Sequence, residues 1–412
     1  MSEAPVNTSG QPVRIMMVGG GSGGHLTPLL ALAVEIKQRH PETRVTVVSQ
    51  KRENLQEVVS HASIDETYSI SAGKFRRYHG ESLLAHLKDV KTIALNIRDF
   101  FRFMRGIAEA WRLLGKERPT VILLKGGFVS VPVGIAARFR KITYVTHDSD
   151  AVPGLANRIV AKRATYNLTA MPATMYPYNQ AKTLQVGVPL RPEFTFVTPD
   201  QQTAFRLKLG IPGSAQVLCC IGGGLGAQKL NHALAHISLD LLTMYPDLII
   251  LHVAGQKLYT ETMQLYQRQL PQASLERVKV FDFYNNFFEL SGAADIVVSR
   301  AGATSIAELA VQGKPSIIVP GAQLTGGQQL HNARALQQAE AAIIVDENNT
   351  DELMRAVQGL LGSAEERAGY SAKFHALAFE QSTQKIVSVL FELANPTPEG
   401  NSISASAKTQ EK

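Results

Sequence analysis

Two glycine-rich loops dominate this sequence, Gly19-Gly20-Gly21-Ser22-Gly23-Gly24-His25 in the first half and Gly222-Gly223-Gly224-Leu225-Gly226-Ala227 in the second. Each follows a short apolar run, residues 15–18 and 217–221, and each opens a helical pattern. A chain that leaves a strand and enters a helix through consecutive glycines can turn sharply and bring backbone N–H groups against a ligand with no Cβ in the way. Two such loops in two similar halves predict a ligand held between two domains.

Apolar runs alternate with helical patterns on both sides of a proline-marked joint. Residues 15–18, 45–49, 121–124, 142–146 and 184–188 read as strands of one series, and 217–221, 248–253, 278–281, 296–299, 316–319 and 342–345 as strands of another. This is the α/β alternation of doubly wound parallel sheets. Pro189 and Pro192 interrupt regular structure between the series. The expected division is an N-terminal domain over 12–188 and a C-terminal domain over 189–372. A last helix, about 373–395, is expected to pack back on the first domain. The small polar residues 396–412 read as a disordered tail.

The chain is 412 residues long with a formal net charge of +7 and a pI near 9.3. That balance suits an anionic partner, whether nucleic acid, nucleotide or acidic lipid. No motif interleaves aromatic and basic residues as an RNA-binding platform would, so nucleic acid is not expected. The two cysteines, Cys219 and Cys220, are adjacent in a strand-like run and read as small buried hydrophobes. No run reaches the ~18 apolar residues of a membrane span, and residues 1–12 lack an apolar signal core. A cytoplasmic protein whose membrane contact is peripheral is therefore expected.

Both loops fit the loose dinucleotide spacing, but the companion acidic residue is missing. The second strands of the two series end in Val48-Ser49-Gln50 and Val253-Ala254-Gly255. Lys51 and Arg52 leave a 2′-phosphate ligand open, and glycines that serve only tight strand–helix packing remain the plain alternative. His25 stands at a helix start, where the dipole favours neutral imidazole, a form that can accept a proton or bond a sugar or phosphate. In the second half, Ser299-Arg300-Ala301-Gly302-Ala303-Thr304 leads from a strand into a helix that carries Glu308 a little over one turn in. A carboxylate there can grip the hydroxyls of a ribose. The amides of Gln328 and Gln329, at the start of the next helix, offer donors and acceptors to a sugar. His232 and His236 have the i, i+4 spacing of metal ligands without the intervening glutamate, and read as a solvated helix face. Gly73-Lys74-Phe75-Arg76-Arg77-Tyr78 and the helical stretch with Arg98, Arg102, Arg105 and Arg112 mix cations with aromatics, which suits either a solvated basic face or an anionic membrane surface.

Taken together, Gly20 to His25 with Pro28, Gly126-Gly127-Phe128-Val129-Ser130 with Pro132, Ala151 to Arg158, Gly222-Gly223 with Gly226-Ala227, Arg300 to Glu308, and Gln328-Gln329 with Asn332-Ala333 resemble the MurG glycosyltransferases of family 28. The resemblance runs from about residue 15 to 342. It implies a GT-B fold, two Rossmann-like doubly wound parallel-sheet domains facing a cleft, and inverting transfer of N-acetylglucosamine from UDP-GlcNAc to lipid I. By the same resemblance the donor is held by Ser22, Gly23, Arg191, Gly223, Gly224, Tyr284, Ala303, Thr304, Glu308, Gln328 and Gln329, with Tyr284 lying where backbone groups recognise uracil. Ser22, His25 and Asp150 face the acceptor, and His25 is the candidate base. Backbone N–H groups and helix starts would stabilise the leaving UDP, so neither metal nor cofactor is required. Localisation at the cytoplasmic face of the membrane follows from a lipid-linked acceptor.

Two departures from the family pattern stand out. Gly224-Leu225 replaces a Ser-Gln pair, which leaves backbone N–H groups alone at the donor phosphates. His147-Asp148-Ser149-Asp150 replaces His-Glu-Gln-Asn, and a carboxylate near a diphosphate is repelled unless it is paired or protonated. A transferase for another lipid acceptor, a nucleotide-sugar epimerase of the same architecture and a non-catalytic nucleotide- or lipid-binding scaffold are the alternatives.

Overall fold

A computed structural model describes residues 12–20, 23–51, 63–73, 90–224, 226–321 and 327–395. The chain divides into two compact units, Met1–Arg191 with Gln381–Lys412, and Pro192–Glu380. The division falls three residues beyond the expected 188/189 joint.

The first unit is built on a seven-stranded sheet in the order β3-β2-β1-β4-β5-β6-β7. Its strands are β1 Arg14–Val18, β2 Arg44–Gln50, β3 Glu66–Ile70, β4 Val121–Leu124, β5 Thr143–Asp148, β6 Asn167–Thr169 and β7 Thr183–Gln185. Every pairing is parallel, with Ile15 beside both Val45 and Val121. Ile15, Met16, Met17 and Val18 are all buried, because helices cover both faces of a parallel sheet and its central strands read as unbroken apolar runs. The strand expected over 184–188 is shorter, ending at Gln185 before the proline-rich joint.

The second unit repeats the plan with a six-stranded parallel sheet in the order β10-β9-β8-β11-β12-β13. Here β8 is Gln216–Ile221, β9 Leu248–Val253, β10 Val278–Phe281, β11 Ile296–Ser299, β12 Ser316–Ile318 and β13 Ile343–Ile344. In each unit the first strand lies centrally and strand order reverses beside it, between β1 and β4 and between β8 and β11. At such a switch point the connections leave to opposite faces and open a crevice at the strands' carboxyl ends. Both glycine loops lie there.

The C-terminal stretch behaves differently from the single helix expected over 373–395. The helix Ala364–His375 belongs to the second unit, the chain breaks at 376–381, and only the helix Ser382–Ala394 belongs to the first. Ile386, Val387 and Leu390 pack there with Ile15, Met17 and Leu32. Thr383 Oγ1 ties the helix to the chain before the joint, donating to Leu190 O at 2.9 Å and accepting from Leu190 N at 3.0 Å. Residues 396–412 lie outside the described residues.

Candidate active site

In the second unit, the parallel sheet delivers every post-strand loop to one edge. The loop after β8 turns with Gly226 N–H donating to Gly223 O at 2.9 Å. Gly226 has φ +77°, and a Cβ there would lie 2.2 Å from Ala254 O, so the loop after β9 presses against it and admits no side chain. A Cβ on Gly223 or Gly224 would meet nothing within 4 Å, so both border open space. The helix Gln228–Met244 begins directly beyond with no side-chain cap, and so does the helix Ala303–Gln312 after β11. Two helix starts therefore present uncapped first-turn N–H groups on either side of the switch point, the arrangement that favours an anion.

A cavity of about 210 Å³ lies at this edge, lined by Gly222, Gly226, Ala227, Lys229, Arg300, Gly321, Gln329 and Glu347. Glu347 pairs with Arg300 (2.9 Å) and Lys229 (3.3 Å). Burial raises its carboxyl and the two cations more than offset this, leaving it below the ordinary range. Arg300 also donates to Val319 O at 3.0 Å, and Lys229 to Asn348 Oδ1 at 2.9 Å. Two cations, anchored by one carboxylate, thus line the same cavity as Gly222 and Gly226 of the loop. Lys229 and Glu347 carry no motif, and the only signal for Glu347 is its place just beyond β13, at the carboxyl edge of the sheet.

Thr304 and Glu308 are half-buried and lie i, i+4 on one face of their helix, while Ala303, Ile306 and Leu309 are buried. Helical side chains tilt toward the N-terminus, which carries the Glu308 carboxylate back toward the sheet edge. Gln328 and Gln329 open the helix Gln328–Gln338, and Gln329 Oε1 accepts from Gly321 N–H at 2.8 Å. Asn332, wholly buried, donates to Ala301 O at 3.0 Å and so fixes the loop that precedes Thr304. Tyr284 lies beyond β10, two strands out from β8 on the same edge. Its hydroxyl donates to Glu289 at 3.2 Å, and burial with that carboxylate pushes its ionisation up. The side chain is committed to that contact.

In the first unit the loops after β1 and β4 meet. Gly127 has φ +77°, and a Cβ on it would lie 2.1 Å from Gly20 O. Gly23 and His25 are the first and third residues of the helix Gly23–Arg39, which encloses Pro28. Ser22 and Leu225 lie outside the described residues. Lys125, between β4 and Gly126, is 2% exposed and donates to Ser149 Oγ. Burial pulls its ammonium down to about 8 against the opposing pull of Asp148 and Asp150. Asp148 is buried and accepts from Asn157 Nδ2 at 2.9 Å and Tyr178 OH at 2.8 Å, yet burial still raises its carboxyl to about 6. Tyr176 OH donates to Asp150 O at 2.8 Å. Arg191 is the last residue of this unit before the joint.

The helix Val90–Glu117 exposes Ile97, Phe100, Phe101, Met104 and Trp111 along one stripe. The arginine stripe beside it is partly neutralised, Arg98 and Arg102 by the buried Asp99 (3.3 and 3.2 Å) and Arg105 by Glu109 (2.8 Å). The segment 74–78 lies outside the described residues. Among the described residues no helix is long and apolar enough to cross a membrane, and no group of His, Cys, Asp and Glu could hold a metal ion. His232 pairs with Glu261 at 2.7 Å on an exposed face. Both cysteines are buried, and burial raises Cys219 to about 12.

Comparison with known proteins gives this geometry a family. The glycosyltransferase family 28 N-terminal domain matches residues 15–169, and the family 28 C-terminal domain matches residues 217–386. The UDP-N-acetylglucosamine–N-acetylmuramyl-(pentapeptide) pyrophosphoryl-undecaprenol N-acetylglucosamine transferase of Desulforudis audaxviator is 32% identical over 93% of this chain and 99% of its own. The chain belongs to the MurG branch of glycosyltransferase family 28. MurG of Acinetobacter baumannii has the same fold, with a TM-score of 0.67 at 22% identity across 92% of this chain and 99% of its own. So does a UDP-GlcNAc 2-epimerase from Neisseria meningitidis bound to UDP-GlcNAc, with a TM-score of 0.61 at 14% identity across 92% of this chain and all (100%) of that one. The GT-B fold alone therefore does not separate transferase from epimerase, and it is the sequence relationship that does. Against the MurG pattern, Lys125 is the residue that motif reading missed: it follows an apolar strand and precedes the Gly126-Gly127 pair that carries the resemblance.

Proposed function

We propose that the two glycine loops divide one reaction, the second unit holding UDP-GlcNAc and the first holding the lipid-linked acceptor. The chain is an N-acetylglucosaminyltransferase that converts lipid I to lipid II in peptidoglycan synthesis. In this reading the diphosphate of the donor lies at Gly223 and Gly224 and the uncapped start of Gln228–Met244, and Ala303 and Thr304 offer the second helix start. Glu308 takes the ribose, Gln328 and Gln329 the sugar, the backbone near Tyr284 the uracil, and Arg191 the donor from the joint. Ser22 and Gly23 also reach the donor, while Ser22, His25 and Asp150 border the acceptor. The 4-hydroxyl of the muramyl residue attacks the anomeric carbon, His25 takes its proton, and UDP departs from the opposite face with inversion. The observation that carries this reading is the second sheet's edge, where open glycines, two helix starts and the Thr304–Glu308 face converge.

Labelled UDP-GlcNAc incubated with and without a lipid I analogue tests it. The expected result is release of UDP that depends on the acceptor, with label in the lipid product. UDP-ManNAc formed without acceptor would instead establish the epimerase, and donor binding with neither product a scaffold.

The acceptor's lipid further implies docking at the cytoplasmic face of an anionic membrane. The exposed stripe Ile97, Phe100, Phe101, Met104 and Trp111 supports this, since contiguous exposed aromatics mark interaction sites and can insert among acyl chains. Replacing Phe100 and Phe101 by serine is expected to weaken partition onto phosphatidylglycerol vesicles about tenfold, from the apolar area then left unburied. Unchanged sedimentation with vesicles would remove the helix from the membrane.

A further inference from the structure

An acceptor that carries a diphosphate would meet two carboxylates on the first unit's edge, Asp148 and Asp150, where the family has a glutamate and an asparagine. Asp148 is buried at the end of β5, while Ser149 and Asp150 are half-buried and reach the surface. The segment is braced from behind by Asn157, which bonds both His147 O and Asp148 Oδ1 (2.9 Å each), and by the stacked Tyr176 and Tyr178, which hold Asp150 O and Asp148 Oδ2. Lys125 comes from the neighbouring strand β4, next to the glycine loop after β1, and its backbone N–H donates to Val18 O at 2.8 Å. Its ammonium meets Ser149 Oγ and lies within electrostatic reach of both aspartates.

Burying a lysine is costly unless charge or hydrogen bonding compensates it. Ser149 is the one side-chain hydrogen-bond partner of Lys125 among the described residues. The compensation is thus chiefly the pair of carboxylates, and the benefit runs both ways: the cation cancels negative charge at a place where an anionic ligand would be repelled.

We propose that Lys125 is a positioning residue for the acceptor, holding the Ser149–Asp150 segment in place and neutralising its carboxylates so that an anionic diphosphate can lie beside them. The proposal rests on the reading that the first unit binds the acceptor. It makes the Lys125–Asp148–Asp150 charge balance, rather than a neutral amide, this chain's solution to acceptor binding.

Steady-state transfer by the full chain, with a lipid I analogue and UDP-GlcNAc varied separately, tests the proposal. Lys125→Met keeps the length and apolar stem but removes the charge. It is expected to raise the acceptor KM about tenfold, equivalent to ~1.4 kcal/mol, with the donor KM within about twofold of the parent. Adding Asp150→Asn to Lys125→Met is expected to restore most of the loss, because the negative charge that Lys125 opposes goes with it. Asp150→Asn alone, at a half-buried site, is expected to lower the acceptor KM. A double variant no better than Lys125→Met, a donor KM that rises in parallel, or an Asp150→Asn variant with a raised acceptor KM would overturn the proposal. Failure of the reading beneath it looks different: the parent protein itself would then show no transfer that depends on the acceptor.

Discussion

Glu308→Ala is expected to weaken binding of UDP-GlcNAc by about 10- to 100-fold. The magnitude follows from the loss of charge-assisted hydrogen bonds, worth about 1.5–3 kcal/mol each when made to an ionised group, less the share recovered by water entering the space. Alanine is the best helix former, so the helix Ala303–Gln312 survives the change, and its buried residues Ile306 and Leu309 keep their packing. The loss has a signature. A ribose contact is common to UDP and UDP-GlcNAc, so calorimetry should give the same ratio for both ligands, whereas loss of a contact to the sugar would spare UDP. Glu308→Gln keeps an acceptor but not the charge and should recover part of the affinity. A dissociation constant unchanged from the parent would end the ribose assignment.

Much of this site was legible because doubly wound sheets specify their own binding edge. An apolar strand, a glycine loop and a helix start, met twice, suffice to locate the switch points after β1 and β8, and the second strand–glycine–helix transition at Ser299–Thr304 locates the other wall. Strands escaped reading where burial did not demand an apolar run. β3 is Glu-Thr-Tyr-Ser-Ile with one buried residue of five, an edge strand whose side chains face partly into water. β6 has three residues, and Asn167 and Thr169 are buried polar groups whose bonding only tertiary structure supplies.

The side chains that the sequence could not place are those that act in trios. Glu347 matters because Lys229 and Arg300, separated from it by 118 and 47 positions, arrive at its two oxygens. Lys125 matters because β5 lies beside β4 and brings Asp148 to it. Neither spacing repeats, so no period or motif announces them. Likewise the break at 376–381 is invisible to composition: residues on both sides favour helix, and the division comes from Ile386 and Leu390 finding the first sheet while Phe374 stays with the second unit.

His25→Ala should give the largest functional loss of any single change, about 10²- to 10⁴-fold in turnover, the usual contribution of a positioned general base. His25 is the third residue of the helix Gly23–Arg39, within the first turn. A neutral imidazole is the form that can accept the proton of the attacking hydroxyl. Alanine in a helix's first turn costs the fold little, so the change isolates chemistry from stability. The donor lies on the other unit in this assignment, and the dissociation constant for UDP-GlcNAc should hold while kcat collapses. If His25 instead only binds the acceptor, its KM rises and kcat at saturating acceptor stays within about threefold of the parent, a split the Brønsted role of a base does not allow.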